Sequence, residues 1–352
     1  MKKTILLGWA ALLAALLTGA CTQQLQPSTE NQPETGTLIV RPLVQGAETR
    51  AGEAYTGNLA SEIAISSVQV LTFEKTSGHL EHYFSYTTTS EVQEFALRAG
   101  AYRIWAVANG PDLSGIGTET ALKQLVIDLA TYNDPSADFF MAGSELSTVV
   151  AGDVAECLIY LTRLVSRVSL KSIVNRLPAA YGNITVDYVM LSNAVGSYSI
   201  GGPAGSLWHN PCGRKNASPL VAANIIAPPT VPADAAALTF RSAGYTLAPG
   251  ASNSTAQRMY TYPNASTLTT EGFSSPFTAR CTRLVVRAQI DGTTYYYPVN
   301  LPTLVRNACY DVSLTLIGLG SSDPDVPVHK GTQRVDIEIT PWEDGGEQTE
   351  TI

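Results

Sequence analysis

Apolar and polar residues alternate along most of this chain, and the alternation is sharpest at its C-terminal end. In Arg334–Trp342 the side chains of Val335, Ile337 and Ile339 share one parity and Arg334, Asp336, Glu338 and Thr340 the other. A period of two predicts a strand with one apolar and one charged edge. The same pattern predicts strands over Thr37–Val44, Ser67–Glu74, Glu81–Thr89, Phe139–Met141, Val149–Ile159, Thr162–Ile173, Ile184–Leu191 and Tyr310–Ile317. Two hairpins are expected. One has Val92–Leu97 and Ala101–Asn109 around Arg98-Ala99-Gly100; the other has Thr282–Ile290 and Thr293–Val299 around Asp291-Gly292. One stretch, Ala121–Ala130, has helical spacing at Leu122, Leu125, Val126 and Leu129. Breakers dominate Ser197–Asn224 and Pro228–Ala237. Many short strands separated by turns predict an all-β chain of two tandem β-sandwiches with few short helices. The boundary is expected near Arg163, giving domains over 51–163 and 164–342 and an acidic tail over 343–352.

The first 50 residues read differently. Lys2 and Lys3 precede an apolar run from Ile5 to Leu17, which ends in Thr18-Gly19-Ala20-Cys21. This resembles a bacterial lipoprotein signal over residues 1–20, with Cys21 as the lipidated first residue of the exported chain. The apolar run is short of the roughly 20 residues that span a bilayer. Thr22 after the cysteine resembles an outer-membrane sorting signal. Residues Thr22–Glu34 are Gln, Pro, Ser, Thr and Glu-rich, as a solvated tether is. The predicted strand Thr37–Val44 follows, and then a polar, Gly-bearing loop carrying Arg50 and Ala51.

Composition narrows the function. The chain is 45% apolar and only 15% charged over 352 residues, with a formal charge of −8. That balance, without a basic patch, argues against nucleic acid or anionic lipid as a partner. Four further cysteines, Cys157, Cys212, Cys281 and Cys309, contain no CxxC pair. Strand parity groups Cys281 with Arg283 and Arg287, and Cys309 with Asp311 and Ser313, so both are expected on polar faces. His79 and His82 lie three apart without a carboxylate cluster. No nucleophile motif, phosphate loop or HExxH occurs, so no enzyme, cofactor or metal site is expected. Tyr295, Tyr296 and Tyr297 offer rings for sugar stacking, or simply a sheet face.

Four features together resemble the fimbrillin family, the subunits of Bacteroidales type V pili: the cysteine-ended leader; Leu97–Asn109, similar to an L..G.Y.I…AN segment; Leu304–Gly320, similar to an RN..Y.V…I.G.G strand; and the closing alternating strand with Trp342. The resemblance implies two transthyretin-like sandwiches and a mechanism. A lipidated outer-membrane precursor is cut by an arginine-specific protease, which removes the first strand. The vacated groove then takes a strand from another subunit, producing a surface fimbrium that supports adhesion to a host or bacterial ligand. The matching cleavage site is Arg50–Ala51, because Arg41 is followed by Pro42. The candidate donor strand is Val335, Ile337 and Ile339. The same strand can instead complete its own sheet. Two other roles stay open: a non-polymerising surface lipoprotein that binds glycans, and a fimbrial anchor that keeps its lipid.

Overall fold

The computed structural model describes residues 34–44, 59–87, 93–202, 208–209, 225–226, 237–269, 280–324, 326–329 and 331–342. Cys21, Arg50, Ala51 and Cys212 therefore lie outside the described residues. The fold is all-β, with two sandwiches in sequence.

The first sandwich has two sheets. One holds β1 (Thr35–Val44), β4 (Gln93–Arg98) and β8 (Val154–Arg163), with β1 in the middle. The other runs β3 (Leu80–Tyr86), β2 (Val68–Glu74), β5 (Gly100–Ala108), β7 (Met141–Val149), all antiparallel. The two sheets join at a corner, where Met141 and Ala142 pair with Arg163 and Thr162. Their inner faces make one core: Leu38, Val40, Leu97, Ile159 and Leu161 face Val68, Val70, Ile104 and Ala106.

Two expectations change here. β4 and β5 are not a hairpin. β4 pairs with β1, and β5 pairs with β2 and β7, so the chain changes sheet at Ala99. Leu97 and Tyr102 enter the same core from opposite sheets. Their apolar faces oppose each other instead of lying side by side. The Tyr102 hydroxyl donates back to the Arg98 carbonyl at 2.9 Å, which holds the corner. The expected strand Val149–Ile159 is in fact two strands, β7 and β8, separated by a turn whose Gly152 has φ +74°.

The second sandwich packs the sheet β12 (Phe240–Leu247), β10 (Ile184–Ser192), β14 (Arg283–Ile290), β15 (Thr293–Asn300) on a second sheet. That sheet contains β13 (Gln257–Thr261), β9 (Ser166–Asn175), β16 (Ala308–Leu316) and β17 (Gln333–Pro341). The hairpin β14–β15 forms as its Asp291-Gly292 turn predicts, with φ +49° and +74° at the two residues. Val168, Leu170, Val186, Leu284, Val286, Val312 and Leu314 fill this core.

A third core lies at the junction and draws on both halves: Phe73, Phe139 and Phe140 from the first, Leu164, Tyr198, Tyr260, Cys309 and Trp342 from the second. The predicted helix over Ala121–Ala130 ends early. Helix α1 is Ala60–Ile63, and α2 covers Glu119–Gln124, capped by the Thr118 hydroxyl accepting from Ala121 N at 3.1 Å. Val126–Asp128 then extends as β6 and pairs with β11 (Ser197–Ser199). Two β-branched residues and a cross-junction partner outweigh the helical spacing. Leu122, Ile127 and Leu129 are buried all the same.

Candidate functional site

Strand β1 occupies a slot formed by two others. It runs antiparallel to β4, with Thr35 to Val40 opposite Arg98 to Gln93, and parallel to β8, with Thr37 to Val44 opposite Val154 to Leu161. Leu38 and Val40 are fully buried, and Pro42 and Val44 point the same way. Ile39 and Leu43 face outward and stay half-exposed beside Arg41, which pairs with Glu156 of β8. Pro42 falls beyond the last described rung with β4, where a missing N–H is tolerated.

One end of the slot is closed by the β7–β8 turn. Gly152 N donates to the Thr35 carbonyl at 3.0 Å, Thr37 N donates to the Asp153 carbonyl at 2.9 Å, and Ala99 N donates to the Glu34 carbonyl at 2.8 Å. Gly36 sits inside this collar. A Cβ there would overlap the Val150 carbonyl oxygen and lie 3.0 Å from that of Asp153. Cys157 of β8 is the register partner of Val40 and is a buried free thiol, pushed up to about 11 by burial and by Glu145.

The terminal strand β17 is paired with β16 along its whole length, Gln333 opposite Leu316 through Pro341 opposite Ala308. It is the outer strand of its sheet. Val335, Ile337 and Ile339 do share one face, but that face is only half-buried against the second core. Two clefts of about 400 and 360 Å³ run beside them, toward Pro298–Pro302 at the end of β15.

Just beyond β17, Trp342 sits in a clamp. Trp342 is 1% exposed. The guanidinium groups of Arg163 and Arg167 lie 4.7 and 5.2 Å from its ring centre, and Tyr260 stacks on it at 6.1 Å. Arg163 also donates to the Trp342 carbonyl at 3.3 Å and to the Glu62 carbonyl at 2.6 Å. Glu62 completes the cluster. Its carboxylate accepts from Arg167 at 3.0 Å, from the Tyr260 hydroxyl at 2.8 Å and from Leu59 N at 2.8 Å. Burial, and then the Glu62 charge, hold the Tyr260 phenol far above its usual range. Helix α1, the first described element after the segment carrying Arg50, thus meets Trp342, the last described residue, at this junction.

The clamp was only partly readable in the sequence. In Thr162–Ile173, Arg167 shares strand parity with Arg163 and Ser169, opposite Leu164, Val168 and Leu170, which by itself marks a polar face. It is buried because Glu62 reaches it from 105 residues away. Glu62 and Tyr260 gave no sequence signal. Cys281 and Cys309 also correct the parity expectation: both are buried, and Cys309 lies in the junction core with its thiol pushed up to about 12 by burial. Cys281 lies just before β14, and Cys309 lies at the end of β16 that meets the junction core, so parity along either strand does not decide their burial. His79 forms a bridge with Thr118, while His82 stacks on Phe95 at 4.3 Å. Of the three tyrosines, Tyr297 is buried and donates to the Gly318 carbonyl at 3.0 Å.

No family model matches this chain, and no curated protein matches it. Solved structures do. A fimbrilin from Porphyromonas gingivalis W83 aligns with a TM-score of 0.63 at 16% identity, covering 88% of this chain and 98% of that one. A candidate cell adhesion protein from Bacteroides eggerthii gives 0.63 at 17% identity over 88% and 97%. Another from Parabacteroides distasonis gives 0.62 at 17% identity over 90% and 100%. At such identities the likeness speaks to the fold, and it extends over nearly the full length of each chain: this protein has the fimbrilin fold.

Proposed function

We propose that this chain is a structural subunit of a type V fimbria, in the stalk or at the tip. It is exported as an outer-membrane lipoprotein acylated at Cys21, cut between Arg50 and Ala51 by an arginine-specific protease, and polymerised by donor-strand exchange. The observation that carries this reading is the position of β1. It fills a slot between β4 and β8, buries Leu38 and Val40, and is joined to α1 only through the segment that contains Arg50. Arg41, the other arginine nearby, is held inside the strand by Glu156.

Loss of β1 leaves unpaired backbone along β4 and β8 and an apolar trough. Each buried aliphatic that refills it contributes about 1.5–3 kcal/mol, and each ladder hydrogen bond about 0.5–1.5 kcal/mol. A donor from a second copy makes a head-to-tail contact that does not close, so a filament grows. Strand β17 is suited to donation, being an outer strand with a half-buried apolar face. Other fimbrial subunits are then its partners, and the surface it carries serves adhesion.

N-terminal sequencing of the surface-assembled protein tests this reading. Ala51 is the expected first residue; a start at or before Thr37 overturns it. The unbroken β16–β17 ladder favours one second reading, an anchor that keeps both its own strand and its lipid. A lipidated Cys21 at the start of the assembled chain selects that reading instead.

A further inference from the structure

We infer that the register of the donated strand is set by a glycine-only collar at the closed end of the slot, and that Gly331 of a second copy occupies it. The inference rests on the donor-strand reading above and goes beyond it in naming which residue fills which position. The collar is the β7–β8 turn around Gly36. A side chain there meets the carbonyl oxygens of Val150 and Asp153, which are backbone atoms in a hydrogen-bonded turn and cannot rotate away. Any strand that replaces β1 therefore needs glycine at this point.

Only one placement of β17 meets that condition with its apolar face inward. With Gly331 at the Gly36 position and the chain running as β1 does, Val335, Ile337 and Ile339 take the places of Val40, Pro42 and Val44. Arg334 takes the place of Ile39, whose neighbours across the ladders are Glu94 of β4 and Glu156 of β8. Opposite charges then face each other on the outer surface. A shift of two residues puts Gln333 in the collar and Asp336 between the two glutamates, so sterics and charge both oppose it. Running the strand backwards brings Gly345 to the collar and Glu343 to the buried Leu38 position, leaving a carboxylate in an apolar core. In the preferred register Gln333 meets the Leu38 position, a neutral amide that still has rotamers to choose from.

A native thiol reads the register. Cys157 is the β8 partner of Val40, so it should lie beside residue 335 of the donor. The test is oxidation of assembled fimbriae with copper–phenanthroline in the variants Val335→Cys, Ile337→Cys and Ile339→Cys. The Cys281→Ala background is needed because Cys281 lines the same cleft as Ile337 and Ile339. Val335→Cys should give a covalent ladder on a non-reducing gel that disappears with Cys157→Ser, and the other two variants should not. A ladder from Ile337→Cys would overturn the register while leaving strand donation intact. Polymers without a ladder from any position would reject donation into this slot, and with it the collar.

A peptide spanning residues 329–342 avoids any effect of substitutions on folding. Added to the cleaved, unpolymerised chain, it should protect Cys157 from alkylation. The same peptide with Gly331→Val should need about ten-fold more for equal protection. Equal potency of the two peptides would overturn the collar.

Discussion

Glu62 and Arg167 form an ion pair at 3.0 Å with side chains 0% and 3% exposed. One lies on the short helix that follows the segment carrying Arg50, the other on the first strand of the second sandwich. The pair therefore ties α1 of the first sandwich to the junction with the second. Removing one partner of a buried pair strands the other charge, which costs about 3–5 kcal/mol. Glu62→Ala should lose that much in chemical denaturation, while Glu62→Ala combined with Arg167→Met should recover a large part of it. Strict additivity of the two single changes would show that the pair is not coupled.

Trp342 is the lock on β17. Its ring is held by Arg163, Arg167 and Tyr260, whereas the strand's own apolar face is only half-buried. Trp342→Ala should cost about 3–5 kcal/mol of local stability. Hydrogen exchange should accelerate in Gln333–Pro341 and stay unchanged in the β14–β15 hairpin. Equal exchange in mutant and parent would place the hold on β17 elsewhere.

Cys157 reports whether the slot is full. The thiol is 4% exposed and pushed up to about 11, so at pH 8 it should resist iodoacetamide while β1 is in place. Cleavage that frees β1 should make it react, and polymerisation should protect it again. A thiol that stays protected in all three states would mean that the slot never opens.

Ile337 separates the two fates of the terminal strand. It is half-buried in its own sheet and would be enclosed in the slot of a neighbour. Ile337→Asp should leave an exported monomer with a modestly lowered melting temperature. It should also abolish filaments, since an unpaired charge in an apolar pocket costs several kcal/mol. A monomer that no longer folds would assign the strand to its own sheet.

Glu74 gives a pH dependence confined to the β2–β3 turn. Hydrogen bonds from the Ser77 side chain and from the Thr76 and Ser77 backbone lower its pKa from the ordinary 4.5 to about 2. A depressed carboxylate stabilises the fold above its unfolded pKa, and this contribution fades as pH falls from about 4.5 toward about 2. A carboxyl titration by NMR should find the midpoint near the lower figure. Glu74→Gln should flatten the acid limb of the stability curve; an unchanged limb would place the acid sensitivity in other carboxylates.

Features that depend only on neighbours along the chain are legible in the order of residues. Period two in Val335, Ile337 and Ile339 marks a strand whatever it pairs with, and Asp291-Gly292 makes its hairpin because only such residues tolerate two positive φ angles in a row. Features that depend on distant partners emerge only from the folded arrangement. Leu97 and Tyr102 look like two sides of a hairpin, yet they face each other across a core because β1 and β2, far apart in sequence, recruit β4 and β5 to different sheets. Val126 and Ile127 leave the helical pattern because Ser197–Ser199 offers them a ladder. Arg167 and Cys309 sit on the polar parity of their strands but are buried, since the junction covers both faces of the sheet there. Alternation records that a strand has two faces; which face meets water is settled only when the second sandwich docks on the first.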